Sequence, residues 1–282
     1  MEVIVAEHAG FCFGVKRAVK MAFDAAGTKG SSVHTLGPLI HNPQVVGRLA
    51  EQGVSKVDSL DEINDGIVIL RSHGVSSPQI AIDAQAKGLT VIDATCPFVT
   101  NAQKYTNLLI SEGYLVIMVG DKSHPETLSV VGHATAEILV TEDFDEIKKW
   151  LNSFANKKRV GVISQTTQTF KKFSDVVSLC LTLCEEVKVF NTICYATEER
   201  QDEAEKIARD VQTMVVVGGK NSANTTHLAD LCREKGIPVF HIETAMEIQN
   251  SWFDGIQKTG VTAGASTPDW IIKEVVEHLQ KV

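Results

Sequence analysis

Val91-Ile92-Asp93-Ala94-Thr95-Cys96-Pro97 reads as a short buried strand that ends in a small polar turn, a cysteine and a proline. Proline is favoured in the first turn of a helix, where its missing N–H costs nothing, and a helix-like run over 98–110 follows it. The arrangement occurs twice more. Val3-Ile4-Val5-Ala6 leads to Phe11-Cys12-Phe13-Gly14 and a helical run from Val15, and Val187-Lys188-Val189-Phe190 leads to Thr192-Ile193-Cys194-Tyr195 and a run from near Thr197. A residue that leaves a strand at its carboxyl end stands where open α/β sheets bind ligands. The three cysteine turns are nearly evenly spaced and divide the chain into thirds.

Working outward, apolar runs at 3–6, 32–36, 67–70, 91–93, 114–119, 138–140, 160–163, 187–190, 214–217, 239–241 and 261–263 alternate with amphipathic runs. This is the βαβα pattern of a mostly parallel α/β protein. Each third also holds two strands that end in polar turns. These are Gly37-Pro38-Leu39-Ile40-His41-Asn42 and Arg71-Ser72-His73-Gly74, then Gly120-Asp121-Lys122-Ser123-His124-Pro125-Glu126 and Ser164-Gln165-Thr166-Thr167, then Gly218-Gly219-Lys220-Asn221-Ser222-Ala223-Asn224 and Gly264-Ala265-Ser266-Thr267-Pro268. The order of features, not residue identity, predicts a threefold repeat. The expected lobes are 14–96, 97–193 and 194–282, the last completed by an N-terminal strand within 1–13. Three α/β lobes related by a pseudo-threefold axis bring Cys12, Cys96 and Cys194 together, with the polar turns facing one cavity.

The composition, 44% hydrophobic and 22% charged over 282 residues, is that of a globular protein. A formal net charge of −8 argues against a general nucleic-acid binder, whose affinity rests on Lys and Arg against phosphates. It leaves room for a small anion held at helix N-termini. No apolar run approaches the roughly 20 residues a membrane helix needs, and no basic region precedes the first strand, so a signal peptide is not expected. The expectation is a cytoplasmic protein without membrane or nucleic-acid partners. In that compartment six widely spaced cysteines point to metal, catalysis or burial before disulfides.

Three converging thiolates suit a soft metal or an iron–sulfur cluster. Structural zinc prefers four ligands, often with a close cysteine pair, which none of the three has. A [4Fe–4S] cluster on three cysteines leaves one iron open to substrate. Any one of these cysteines alone reads as core packing; three in matching turns favour ligation. Cys180 and Cys184, on an expected helix over 175–185, read as core, as does Cys232. His41, His73, His124, Ser222, Asn224 and Ser266 lie beside strand ends or helix starts, where unpartnered backbone N–H groups attract anions; together they suit a diphosphate. The ordinary reading of the three Ser and Asn residues is helix capping. Glu126 follows His124 in a turn that can deliver protons, and Thr166 or Thr167 can relay one.

Together these turns resemble the LytB/IspH family, the 4-hydroxy-3-methylbut-2-enyl diphosphate reductases that end the methylerythritol phosphate route to isoprenoids. The resemblance covers essentially the whole chain and rests on all nine turns in order. It implies one [4Fe–4S] cluster per chain on Cys12, Cys96 and Cys194, with the substrate hydroxyl on the unique iron. Two electrons and two protons then remove that hydroxyl as water, giving isopentenyl and dimethylallyl diphosphate. It implies diphosphate binding by His41, His73, His124, Ser222, Asn224 and Ser266, and proton delivery from Glu126 with His124 beside it. Thr166 matches the threonine near the substrate hydroxyl, with Thr167 the adjacent alternative. Ala223 departs from members that carry a second serine, leaving its backbone N–H for phosphate. Reduced ferredoxin or flavodoxin is the implied electron donor. The rivals are a cluster-bearing hydro-lyase, which needs no reductant, and a non-enzymatic iron–sulfur sensor or electron carrier.

Overall fold

In a computed structural model of the chain, residues 1–28, 30–154 and 159–282 are described. The chain opens with strand β1 (Glu2–Val5) and helix α1 (Phe13–Ala26). It continues through β2 (Val33–Leu36), α2 (Pro43–Glu51), β3 (Val54–Val57), β4 (Ile67–Leu70), α3 (Gln79–Ala86) and β5 (Thr90–Asp93). A second series follows: α4 (Pro97–Ser111), β6 (Leu115–Val119), α5 (Pro125–His133), β7 (Leu139–Val140), α6 (Phe144–Asn152), β8 (Arg159–Ser164), α7 (Phe170–Leu183) and β9 (Glu186–Val189). The last is α8 (Tyr195–Asp210), β10 (Thr213–Val217), α9 (Ala223–Arg233), β11 (Val239–Ile242), β12 (Lys258–Ala263) and α10 (Asp269–Leu279).

The strands form three four-stranded sheets, ordered β3-β2-β4-β5, β7-β6-β8-β9 and β11-β10-β12-β1. Every pairing is parallel. The order is the same in each: the first strand of a lobe lies between the second and the third, and a strand that leads to a cysteine closes one edge. In the third sheet that edge strand is β1, which pairs with β12 from Glu2↔Lys258 to Val5↔Val261. The three edge strands β1, β5 and β9 share one burial pattern, with exposed ends and half-buried centres. The fold is three α/β lobes with parallel sheets. The described residues cluster into two compact units, 1–19, 40–52 and 195–282 in one and 20–39 and 53–194 in the other.

Helices on both faces explain why the central strands are continuous apolar runs. In β10 alternate residues serve two cores. Val215 and Val217 pack with Val261 of β12 and with Ile271 and Val275 of α10 on one face, while Met214 and Val216 pack with Ala204, Leu228 and Cys232 from α8 and α9 on the other. The middle sheet does the same, with Ile117 and Val162 against α6 and α7 and Met118 and Ile163 against α4 and α5.

Two details differ from the sequence reading. Val54-Ser55-Lys56-Val57 forms an extra edge strand with an exposed polar centre. Helix α7 starts at Phe170, capped by Thr169, and ends at Leu183, so Cys184 stands beyond its last turn in extended backbone (φ −124°, ψ 154°), where it still packs against the core that holds Cys180. Among the described residues no helix is long and apolar enough to cross a membrane.

Candidate active site

The candidate residues all follow the carboxyl ends of strands. In the middle lobe, Ser123 and His124 lie between β6 and α5, and Thr166 and Thr167 follow β8. Cys194 lies between β9 and α8. His124 caps α5 with Pro125 at the first helical position, and its Nδ1 accepts from the Glu126 N–H at 3.1 Å. That bond leaves Nε2 to carry the proton of the neutral ring. The His73 ring lies edge-on to it, with centroids 5.2 Å apart.

Glu126 is buried at 1% exposure. Its Oε1 accepts from the Thr166 N–H at 2.6 Å and its Oε2 from the Thr166 hydroxyl at 2.5 Å. Burial raises the carboxyl to about 7, against the lowering effect of both Thr166 bonds. A carboxylic acid that titrates near neutrality is matched to proton transfer. Thr167 instead accepts a bond from the Gln165 amide at 3.0 Å.

In the other unit, Ser222 caps α9, accepting from the Thr225 N–H at 3.4 Å. Ala223 opens that helix, and Asn224 lies in its first turn, 4% exposed. Both polar atoms of the Asn224 side chain are buried without a hydrogen-bond partner among the described residues. A buried amide left in that state costs about 1–3 kcal/mol, so the pair points to a ligand. Ser266 donates to the His41 carbonyl at 3.1 Å. A Cβ on Gly219 would meet the same carbonyl at 2.8 Å, so only glycine lets the turn before Ser222 approach so closely. Ser266 does not start a helix, because α10 begins at Asp269 after Pro268; its hydroxyl is directed to the His41 turn instead of a cap. Asn42 caps α2 in its own right, accepting from the Val45 N–H at 3.0 Å.

The cysteines are held alike. The N–H of Cys12 donates to Ala265 at 3.1 Å, that of Cys96 to Ser72 at 2.9 Å and that of Cys194 to Thr166 at 3.0 Å. In each case the acceptor is a carbonyl in the polar turn of the neighbouring strand. All three are half-buried and lie immediately before or at the cap of a helix, where the positive end of the helix favours a negative group. The Sγ of Cys12 accepts from the Val15 N–H at 3.4 Å. Cys180 and Cys232 contrast with them. Both are fully buried in hydrophobic cores, and burial pushes each thiol up to about 12, which suits packing and not metal. Each of Cys12, Cys96 and Cys194 thus has the half-buried, helix-start surroundings that suit a thiolate ligand.

The cysteine amide bond and the Glu126–Thr166 pair were not legible in the sequence. The only sequence signal for the first was the shared order of turns.

Comparison with known proteins gives concordant matches. The LytB protein family matches residues 3–280. A 4-hydroxy-3-methylbut-2-enyl diphosphate reductase of Geobacter sulfurreducens is 50% identical over 281 residues, covering 100% of this chain and 98% of its own. That of Geotalea uraniireducens is 48% identical over 282 residues, covering 100% and 98%. A solved structure of (E)-4-hydroxy-3-methyl-but-2-enyl diphosphate reductase, described as the terminal enzyme of the non-mevalonate pathway, is 44% identical and superposes with a TM-score of 0.73 over 100% of both chains. The Plasmodium falciparum E-1-hydroxy-2-methyl-but-2-enyl-4-diphosphate reductase is 26% identical, with a TM-score of 0.92 over 99% of this chain and 88% of its own.

Proposed function

The chain belongs to the LytB protein family, and from that membership we infer that it catalyses the reductive dehydroxylation of (E)-4-hydroxy-3-methylbut-2-enyl diphosphate. The products are isopentenyl and dimethylallyl diphosphate, and the reaction is the last step of the non-mevalonate isoprenoid pathway. One water leaves for every two electrons and two protons taken up.

Cys12, Cys96 and Cys194 would hold one [4Fe–4S] cluster. That group supplies the electrons and a Lewis-acidic iron for the hydroxyl. The support is the donor set: three half-buried cysteines, each pinned by the same backbone bond, beside two core cysteines whose thiols resist ionisation.

The chain's own side chains bind and supply protons. The imidazoles of His41, His73 and His124, the Ser222 and Ser266 hydroxyls, the Asn224 amide and the Ala223 N–H hold the diphosphate. The orphaned Asn224 amide supports this, because a phosphate oxygen would satisfy its N–H group. Binding energy from the diphosphate, remote from the carbon that reacts, orients the hydroxyl. Glu126 is the proton source. Its two bonds from Thr166 favour Thr166 over Thr167 as the relay and hold the carboxyl in one orientation. Reduced ferredoxin or flavodoxin is the electron donor, and we place the enzyme in the cytoplasm, where thiolates stay reduced.

The single observation that carries the reading is the buried Glu126–Thr166 pair beside the capping His124. The test is an anaerobic assay with and without a reduced viologen, with products identified by mass. Two viologens oxidised per product would support the reductase. Substrate conversion without reductant would point to the hydro-lyase.

A further inference from the structure

We propose that α8 carries a two-residue clamp, Arg200 and Glu203, that positions Cys12 as a cluster ligand; the proposal rests on the reading of Cys12 above. The observation that prompts it is a break in the pattern of α8. Its buried positions are Thr197, Arg200, Gln201, Ala204 and Ala208. The last two are apolar, as a core-facing stripe requires. The first three are polar, and Arg200 is only 5% exposed. Burying a guanidinium is costly unless its N–H groups are satisfied, so its partners matter.

Arg200 reaches two backbone carbonyls. One Nη donates to Ala196 in its own helix, and the other donates to Gly10 at 2.7 Å. Gly10 has φ +97°, and a Cβ there would lie 3.0 Å from the Ile272 side chain and 3.2 Å from the Thr267 carbonyl. A side chain at this φ would be strained and tightly packed, so glycine suits the turn whose carbonyl accepts from Arg200. One turn further along α8, Glu203 accepts the N–H groups of Glu7 at 2.7 Å and His8 at 2.9 Å. The helix thus grips the 7–10 segment by a cationic donor and an anionic acceptor, and Cys12 follows two residues later.

The need for a clamp follows from the topology. Cys96 follows β5 by three residues and Cys194 follows β9 by five, whereas Cys12 follows β1 by seven. The longest of the three connections needs ties of its own, because a metal ligand that wanders loses its metal. Groups that orient a ligand from behind are typically worth about 10–100-fold in metal affinity.

The test uses anaerobically purified holoprotein of the wild type, R200M, R200K and E203A. We expect R200M to keep the wild-type circular dichroism but to release iron to a chelator about tenfold faster or more. The electron paramagnetic resonance signal of its reduced cluster should be altered. Hydrogen exchange of the 7–12 amides should be faster in R200M and E203A. R200K keeps the charge but lacks the fork that reaches both carbonyls, so it should fall between R200M and the wild type, and it carries the comparison should R200M not fold. Wild-type iron release, spectrum and exchange in both Arg200 variants would overturn the clamp. A wild-type chain without iron would overturn the cluster reading, and the clamp with it.

Discussion

At the residue scale the account turns on Glu126. A buried carboxyl raised from 4.5 to about 7 is substantially protonated at neutral pH, as a proton donor must be. The rate of turnover should therefore fall as pH rises through about 7. The Thr166 hydroxyl bond holds the carboxyl's value down, so T166V should move that fall to higher pH, and a pH profile of kcat/KM reads both. E126Q, which cannot deliver a proton, should bind inorganic pyrophosphate like the wild type and lose turnover by about 10²-fold or more. Stability has a matching sign. The folded value lies above the unfolded one, so the stabilisation is complete below 4.5 and is lost as pH rises through about 7. The loss amounts to about 3 kcal/mol. Glutamine mimics the protonated form at all pH, so the advantage of E126Q over wild type in thermal unfolding should be larger at pH 8 than at pH 5. Little of this was visible in the sequence. Glu126 and Thr166 are 40 residues apart, and their pairing depends on two turns that meet only after β6 and β8 pair.

At the element scale, each site residue is aimed by how its helix or turn packs. A Cβ on Gly132 of α5 would lie 1.7 Å from the Ser76 carbonyl oxygen. Backbone cannot yield cheaply there, so G132A should push α5 off the 74–76 loop and displace its capping His124 and Glu126. We expect a loss of about 1–3 kcal/mol in denaturant unfolding, together with a lower kcat. A wild-type kcat in a destabilised G132A would separate the helix's packing from its catalytic aim. Elements were readable where local signals agree. Cys96-Pro97 marks a helix start in the sequence and is one in the structure, and β4, β6 and β10 are runs of apolar residues buried throughout or nearly so. Strand β3 was not readable. Its Ser55 and Lys56 face solvent, and Gly53 at φ +83° makes the stretch look like the loop after α2. Its place is evident only beside β7 and β11, which hold the same edge in the other sheets. The true start of α7 at Phe170 was missed for a related reason, since its first turn carries Lys171 and Lys172 and so breaks the apolar pattern that locates Val176 and Cys180.

At the scale of the whole molecule the repeated order of turns was the most informative feature. Two strands with polar turns and one with a cysteine recur in each third, and the three sheets reproduce that order with β1 on the cysteine edge of the third. The equivalent backbone bonds of Cys12, Cys96 and Cys194 extend the equivalence to single atoms. The central claim is that these three cysteines, and not Cys180 or Cys232, make the chain an iron–sulfur enzyme. The most direct measurement is iron and acid-labile sulfide in anaerobically purified protein, for the wild type and for C96S, C180S and C232S. About four of each per chain is expected, lost in C96S and kept in C180S and C232S. No iron in freshly purified and reconstituted wild type, or a C96S variant as rich in iron as the wild type, would contradict it.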